Sequence, residues 1–436
     1  LAVFLDRAAL AATLALPIFV MHGRAIAEIL VSIADACFLA RCVLSREWSW
    51  MRIGWVRIAM LFWGWMVVCS IPGIGAGGWL SFGQALALVR FLLLPAALEI
   101  AILRHENARR WLGWMLTASA LYIAAQTLLQ LVTGRDIQGF RRNGDGELTG
   151  PFQHPRAAEP LSRLLFPVLL PPLAWLLARR RFLATAVAAA LTIASVAVMV
   201  LIGQRMPLLL TVFGLAISGL MLRRLRAVVA GAIVAGAMLL AASAVVSPPA
   251  FYRLVTKFSA QMDHFPDSDY GLIAGRAVVM AMDHPWLGQG YDGFRDTCMD
   301  EKYFRAPPWP GAHSADGGGP RACNIHPHNH YLEAVTDAGL PGLALFCALV
   351  GAWWLALLRG IGRDPDPLRV GLFVSAFIHE WPIASTSNFL SVELSGFFFL
   401  LLGFGLAEAR AVGPNKPQVP REIAGSQPEN QAKSAP

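Results

Sequence analysis

The sequence predicts an all-α polytopic membrane protein. Two observations carry that reading. Of 436 residues, 56% are hydrophobic and only 15% charged, whereas soluble domains carry about 25% charged residues. The apolar residues also gather into long runs of roughly 20, the length a helix needs to cross a bilayer. Membrane barrels would show alternation over about ten residues instead. The runs are too many for a signal peptide ahead of a soluble core. The formal charge of +8 is therefore read by topology, not as a sign of nucleic-acid binding.

About twelve transmembrane helices are expected. Their cores lie at 8–22, 25–43, 57–76, 81–103, 111–132, 158–178, 182–203, 206–222, 227–247, 331–357, 368–388 and 390–410. Short cytoplasmic loops collect Lys and Arg, and here alternate connections are basic. They hold Arg41, Arg46, Arg52 and Arg57; Arg104, Arg109 and Arg110; Arg179, Arg180 and Arg181; Arg223, Arg224 and Arg226; and Arg359, Arg363 and Arg369. The intervening loop IPGIGAGGWLS has no charge. Both termini are thus expected in the cytoplasm. Residues 412–436, rich in Pro, Gln, Asn and Ser, read as a disordered cytoplasmic tail.

The chain then divides into nine helices over 1–247, one large outward loop domain over 248–330, three helices over 331–411, and the tail. A second outward connection spans 133–157. In the large loop, PPAFYRLVTKFSAQM places Phe251, Leu254, Val255 and Phe258 at helical spacing, which suits a helix lying in the membrane interface. A second helix, GLIAGRAVVMAM, ends before Pro285 and Gly288. The oxidising side permits a disulfide between Cys298 and Cys323; two free thiols is the other reading. Cys37, Cys42, Cys69 and Cys347 fall in spans as packing residues.

The loop closes on HPHNH, where His326, His328 and His330 alternate at the mouth of the helix bundle. The imidazoles are possible ligands for zinc, but the spacing indicates no third or fourth ligand and Pro327 extends the backbone. A catalytic or substrate-binding role suits them better, with a plain loop as the bland alternative. GQGYDG at 288–293 satisfies a dinucleotide fingerprint without the strand that motif requires, so a tight turn is expected. DPDP at 364–367 and DSD at 267–269 resemble the D-x-D metal site of nucleotide-sugar transferases, but the first reads as a solvated turn and the second lies on the side without nucleotide sugars, so neither is read as a metal site. Arg141, Arg142, Arg205 and Arg276 lie on the outward side, which the charge rule does not explain. Arginines beside a histidine suit an anionic ligand held by forked hydrogen bonds, with diphosphate as the natural candidate. The plainer readings are that Arg205 anchors a span end and Arg276 pairs with Asp283 or Asp292. Arg90, within a span, is expected to pair with Asp35 or Glu99.

Four stretches in order give a family resemblance. His328-Asn329, nine residues, Gly339, two residues and Gly342 fit the H-N-x9-G-x-x-G pattern of the O-antigen ligase and polymerase superfamily. LTGPFQHPRAAEPL resembles its G-x-F-x-N-P motif, with His154 in place of asparagine. GQRMPLLL resembles its serine-arginine motif, with Gln204 in place of serine. GRAVVMAMDHPWLGQGYDGF resembles its loop helix and the turn that follows. The resemblance covers roughly 135–345. It implies a GT-C-like glycosyltransferase of a bacterial inner membrane with a periplasmic active site. Such an enzyme moves a glycan from undecaprenyl diphosphate to a hydroxyl acceptor, with no cofactor, metal or nucleotide sugar. His328 would be the catalytic base, with Arg205, Arg276 and Arg142 on the diphosphate. His326, His330, Asn329 and Arg141 would be secondary. One large outward loop and one small one favour a ligase acting on lipid A–core over a polymerase. A polyprenyl-glycan transporter is the reading from another class, but the polar residues gather at the outer mouth, not at midplane, and no repeat is visible.

Overall fold

The computed structural model describes residues 1–412 apart from 145, 363, 385–388 and 390. The expected tail from 413 onward, and Arg363 of the basic loops, lie outside the described residues. Among the described residues the chain is helical, with isolated bridges and no strand.

The long helices are α1 (Ala2–His22), α2 (Arg24–Ser45), α3 (Gly54–Cys69), α4 (Gly78–Ile102), α5 (Glu106–Thr133), α6 (Ala158–Ala178), α7 (Phe182–Ile202), α8 (Arg205–Met221), α9 (Arg226–Val246), α10 (Asp269–Asp283), α11 (His330–Leu358), α12 (Pro367–His379) and α13 (Val392–Ala411). All but α10 occupy the expected apolar runs. By length and composition α1, α4, α5, α6, α7, α9 and α11 can each cross a membrane, while α3, α8 and α12 are apolar but shorter. Large apolar side chains such as Leu121, Leu220 and Val234 are exposed on the bundle surface. Water would not tolerate that pattern and lipid would.

Small residues bring helices close. Ala9, Ala12, Ala27 and Ala34 are buried on the facing sides of α1 and α2, which a single residue, Gly23, separates. Helices α6 and α12 pack almost backbone to backbone. A Cβ on Gly371 would lie 2.7 Å from the Phe166 carbonyl carbon, and Ser375 Oγ donates to Arg163 O at 2.6 Å.

Three expectations are corrected. The run at 368–388 is helical only to His379, because Pro382 follows and cannot join a helix interior. The run at 57–76 stops at Cys69, before a turn in which Gly73 takes φ 91. Arg90 pairs with neither Asp35 nor Glu99. It meets Glu28 at 2.8 Å, while Glu99 is taken by Arg410 at 2.7 Å and Trp55 at 2.9 Å.

Residues 247–329 form a unit over one end of the bundle. A helical run over 248–263 includes a π turn at Tyr252–Thr256. Helix α10 buries Ile273, Ala277 and Met280 against Phe294 and Tyr303. Cys298 and Cys323 are bonded to each other beside this small core.

Candidate active site

The three histidines part company. Asn329 caps α11: its Oδ1 accepts from Tyr331 N at 3.0 Å and Leu332 N at 3.1 Å, satisfying two otherwise unpaired amides. Its Nδ2 donates to Pro382 O at 2.8 Å, tying the start of α11 to the chain beyond α12. His330, one residue on, points into the bundle. Its Nδ1 lies 3.0 Å from Glu380 Oε2, and Glu380 Oε1 is 3.4 Å from His379 Nε2. All three residues are buried.

His326 and His328 stay together in the loop, with Nε2 of the first 3.1 Å from Nδ1 of the second. His328 takes φ 54, a left-handed conformation that bends the loop tightly. Asn324 contacts the other face of His328, with Nδ2 3.0 Å from Nε2. The direction of these bonds is fixed from outside, because Asn324 Oδ1 already accepts from Ile325 N at 2.7 Å. The amide nitrogen must therefore donate, and His328 Nε2 must accept. That assigns the proton of neutral His328 to Nδ1, which donates to His326 Nε2. Burial pushes His326 down to about 3, and the charges of His328, His330, Arg156 and Arg295 push the same way. His326 is thus a permanently neutral acceptor near pH 7. Tyr270 lies edge-on to His328, ring centroids 5.6 Å apart.

The glycines of the HN segment receive the PWLGQG turn. At Gly339, φ 66 and ψ −170 break α11 into two helical pieces. The break lets Leu340 N donate to Pro285 O at 2.7 Å. It also exposes the carbonyls of Thr336 and Asp337, which accept from Gln289 N at 2.8 Å and Gly290 N at 2.9 Å. A Cβ on Gly339 would lie 2.4 Å from Trp286 O, and one on Gly288 2.5 Å from the Asp337 carbonyl carbon. GQGYDG is thus a docking turn, with Gly288 and Gly290 at positive φ.

A second wall comes from 133–157. Gln130 of α5 holds it, with Oε1 accepting from Thr149 N at 2.8 Å and Gly150 N at 3.2 Å. Gln204 Nε2 donates to Pro155 O, joining this loop to the turn before α8. Glu147 pairs with Arg253 of the 248–263 run. Burial pushes Glu147 up to about 7, against the pull of Arg205 and Lys257. Arg205 is half-buried at the first residue of α8, bonded to Gln261 and 5.8 Å from the Phe258 ring centre. Arg142 donates to Leu131 O at 2.7 Å, and Arg141 is exposed.

Residues 187–347 match the family model described as O-antigen ligase. Over that segment, less than half of the chain, the protein is similar to the O-antigen ligase and polymerase superfamily. No curated protein matches it. The matched segment holds Arg205, Arg253, Arg276, His326 and His328. Arg142, Glu147, Arg156, His379 and Glu380 come from outside it. Together with the seven helices, among the described residues, that are long and apolar enough to cross a membrane, this match supports a multi-pass membrane protein.

Within the matched segment, one arginine departs from expectation. Arg276 is 2% exposed. Its Nη1 donates to Cys298 O at 2.6 Å, its Nη2 to Gly319 O at 3.0 Å, and its guanidinium lies over Phe304 at 4.5 Å. It pairs with neither Asp283, which meets Arg305, nor Asp292, which meets Arg295. Arg276 therefore clamps the loop unit from within and offers these donors to no surface ligand. The metal question also moves. His330, His379 and Glu380 bring ligand-type atoms within 4.8 Å of one another, so only one histidine of HPHNH joins the set. Asp366 of DPDP caps α12, accepting from Arg369 N at 3.1 Å. Asp267 of DSD accepts from His313. Sequence reasoning passed over Arg156, Glu147, Arg253 and Tyr270. Arg156 was within reach, two residues past His154 in a quoted motif. The others are distant in sequence and are joined only by the fold.

Proposed function

We propose that the protein is an O-antigen ligase, moving a glycan from undecaprenyl diphosphate to a sugar hydroxyl of lipid A–core at the periplasmic face of a bacterial inner membrane. In this reading α1–α9 and α11–α13 are twelve spans with both termini cytoplasmic. The observation that carries it is the bonded trio Asn324–His328–His326, in which an exposed side-chain amide occupies the lone pair of His328 Nε2.

The acceptor hydroxyl takes the place of Asn324 Nδ2 and gives its proton to His328 Nε2. Its oxygen bonds to the anomeric carbon as the bond from that carbon to the phosphate oxygen breaks. The electron pair leaves on the diphosphate, and the anomeric centre inverts. Neutral His326 accepts from Nδ1 throughout, so the imidazolium keeps a partner without a second positive charge beside it. Charge building on the diphosphate is met by guanidinium donors and by the N-terminus of α8, where Arg205 lies and no side chain caps the helix. Arg142 and Arg156 are the other candidates on this wall. Arg276 acts indirectly, by holding the loop unit in shape. No metal enters the step.

The test is purified protein in lipid vesicles, given lipid-linked glycan with and without lipid A–core. Glycan attached to lipid A–core supports the ligase. Chain growth on the carrier without that acceptor would make it a polymerase. Movement of the glycan lipid across the bilayer without transfer would make it a transporter.

A further inference from the structure

At the bundle end away from the histidines, α1, α2, the end of α4 and the start of α5 enclose a groove of about 280 Å³. The two ends are distinguished by His22, which closes α1 beside Gln138 of the 133–157 loop at 3.0 Å. The groove is at the other end of α1. Its floor is apolar, with buried Phe38, and Trp111 lines it with 52% of its surface exposed. Its mouth is cationic: Arg7, Arg41, Arg104 and His105 line it, against a single acid, Asp6. Asp6 is engaged by Arg41 at 3.1 Å. Among the described residues neither Arg7 nor Arg104 pairs with a carboxylate; Arg104 Nε donates to His105 Nε2 at 2.9 Å.

We propose that this groove binds an anionic phospholipid, its acyl chain along the apolar floor and its phosphate between Arg7 and Arg104. An apolar trough under uncompensated guanidiniums suits a molecule that is apolar at one end and anionic at the other. Basic pockets between helices at a membrane face recognise anionic headgroups in this way. A zwitterionic phospholipid offers the same phosphate, but its ammonium cancels that charge and adds a cation beside the two arginines, so it should bind more weakly. The site is separate from the proposed glycan-transfer site and does not depend on it.

Trp111 is a built-in reporter. The full chain is reconstituted in phosphatidylcholine vesicles containing brominated phosphatidylglycerol or brominated phosphatidylcholine. The Trp111 signal is taken as the difference from Trp111→Phe, because the chain has 14 tryptophans. Half-quenching is expected at about tenfold lower mole fraction of the anionic lipid. Arg7→Gln with Arg104→Gln should abolish that preference while leaving helicity unchanged, and Arg7→Lys with Arg104→Lys should keep most of it. Equal quenching by the two lipids in the parent protein, or a preference that survives the glutamine pair, would overturn the assignment.

Discussion

His326 Nε2 lies 3.1 Å from His328 Nδ1, and only one of the two rings can hold a proton on that line. Burial holds His326 near 3, below its ordinary 6.5. Between pH 6.5 and 3 the unfolded chain binds this proton and the folded chain does not. The contribution of His326 to stability is therefore intact above pH 6.5 and lost progressively as the pH falls toward 3. Thermal unfolding in detergent should show this loss, and His326→Gln should flatten the profile over the same window. An unchanged profile would mean that His326 is not held neutral by the fold.

Arg205 and Arg276 should respond differently to lysine. Arg205→Lys keeps the charge at the start of α8 but loses the planar fork. Transfer should fall about 10²-fold, at near-parent stability. Arg276→Lys cannot reach both Cys298 O and Gly319 O, and should lower stability by about 2–4 kcal/mol. Single-turnover transfer measured beside thermal unfolding separates the two effects. A stable Arg276→Lys with impaired transfer would return Arg276 to the diphosphate.

Gly339→Ala should be severe. With φ 66 and ψ −170 the position suits glycine alone, and the added Cβ would meet Trp286 O. A loss of at least about 2 kcal/mol is expected. Protease sensitivity at Pro285–Gly290 should rise with it, because that turn docks on the break in α11. Parent-like resistance would mean the docking is not held by the glycine.

Exhaustive chelation should leave transfer unchanged, because guanidiniums meet the diphosphate in this account. Loss that zinc restores would shift attention to His330, His379 and Glu380, whose ligand-type atoms already converge.

The places and order of the apolar helices were legible in the sequence because a membrane-crossing helix follows one rule, a run of roughly 20 apolar residues. That rule says nothing about partners inside the bundle, so Arg90 was matched to the wrong acid. It also overran α12, where Pro382 ends the helix early. At the site, H-N-x9-G-x-x-G pointed to His328 and to both glycines. It could not say that alternating histidines face different ways, with His330 turned inward by the first turn of α11. The burial of Arg276 was hidden for a related reason. An arginine among apolar residues reads the same whether it lines a cavity or binds carbonyls, and only the positions of Cys298 O and Gly319 O decide.

The central claim is that His328 Nε2 takes the acceptor proton. Its most direct test is glycan attachment to lipid A–core by purified, reconstituted His328→Ala, compared with the parent protein at equal helicity and equal thermal stability. The account predicts loss of at least about 10²-fold, with His326→Ala reduced by a smaller factor. Transfer by folded His328→Ala within a few-fold of the parent rate would contradict it.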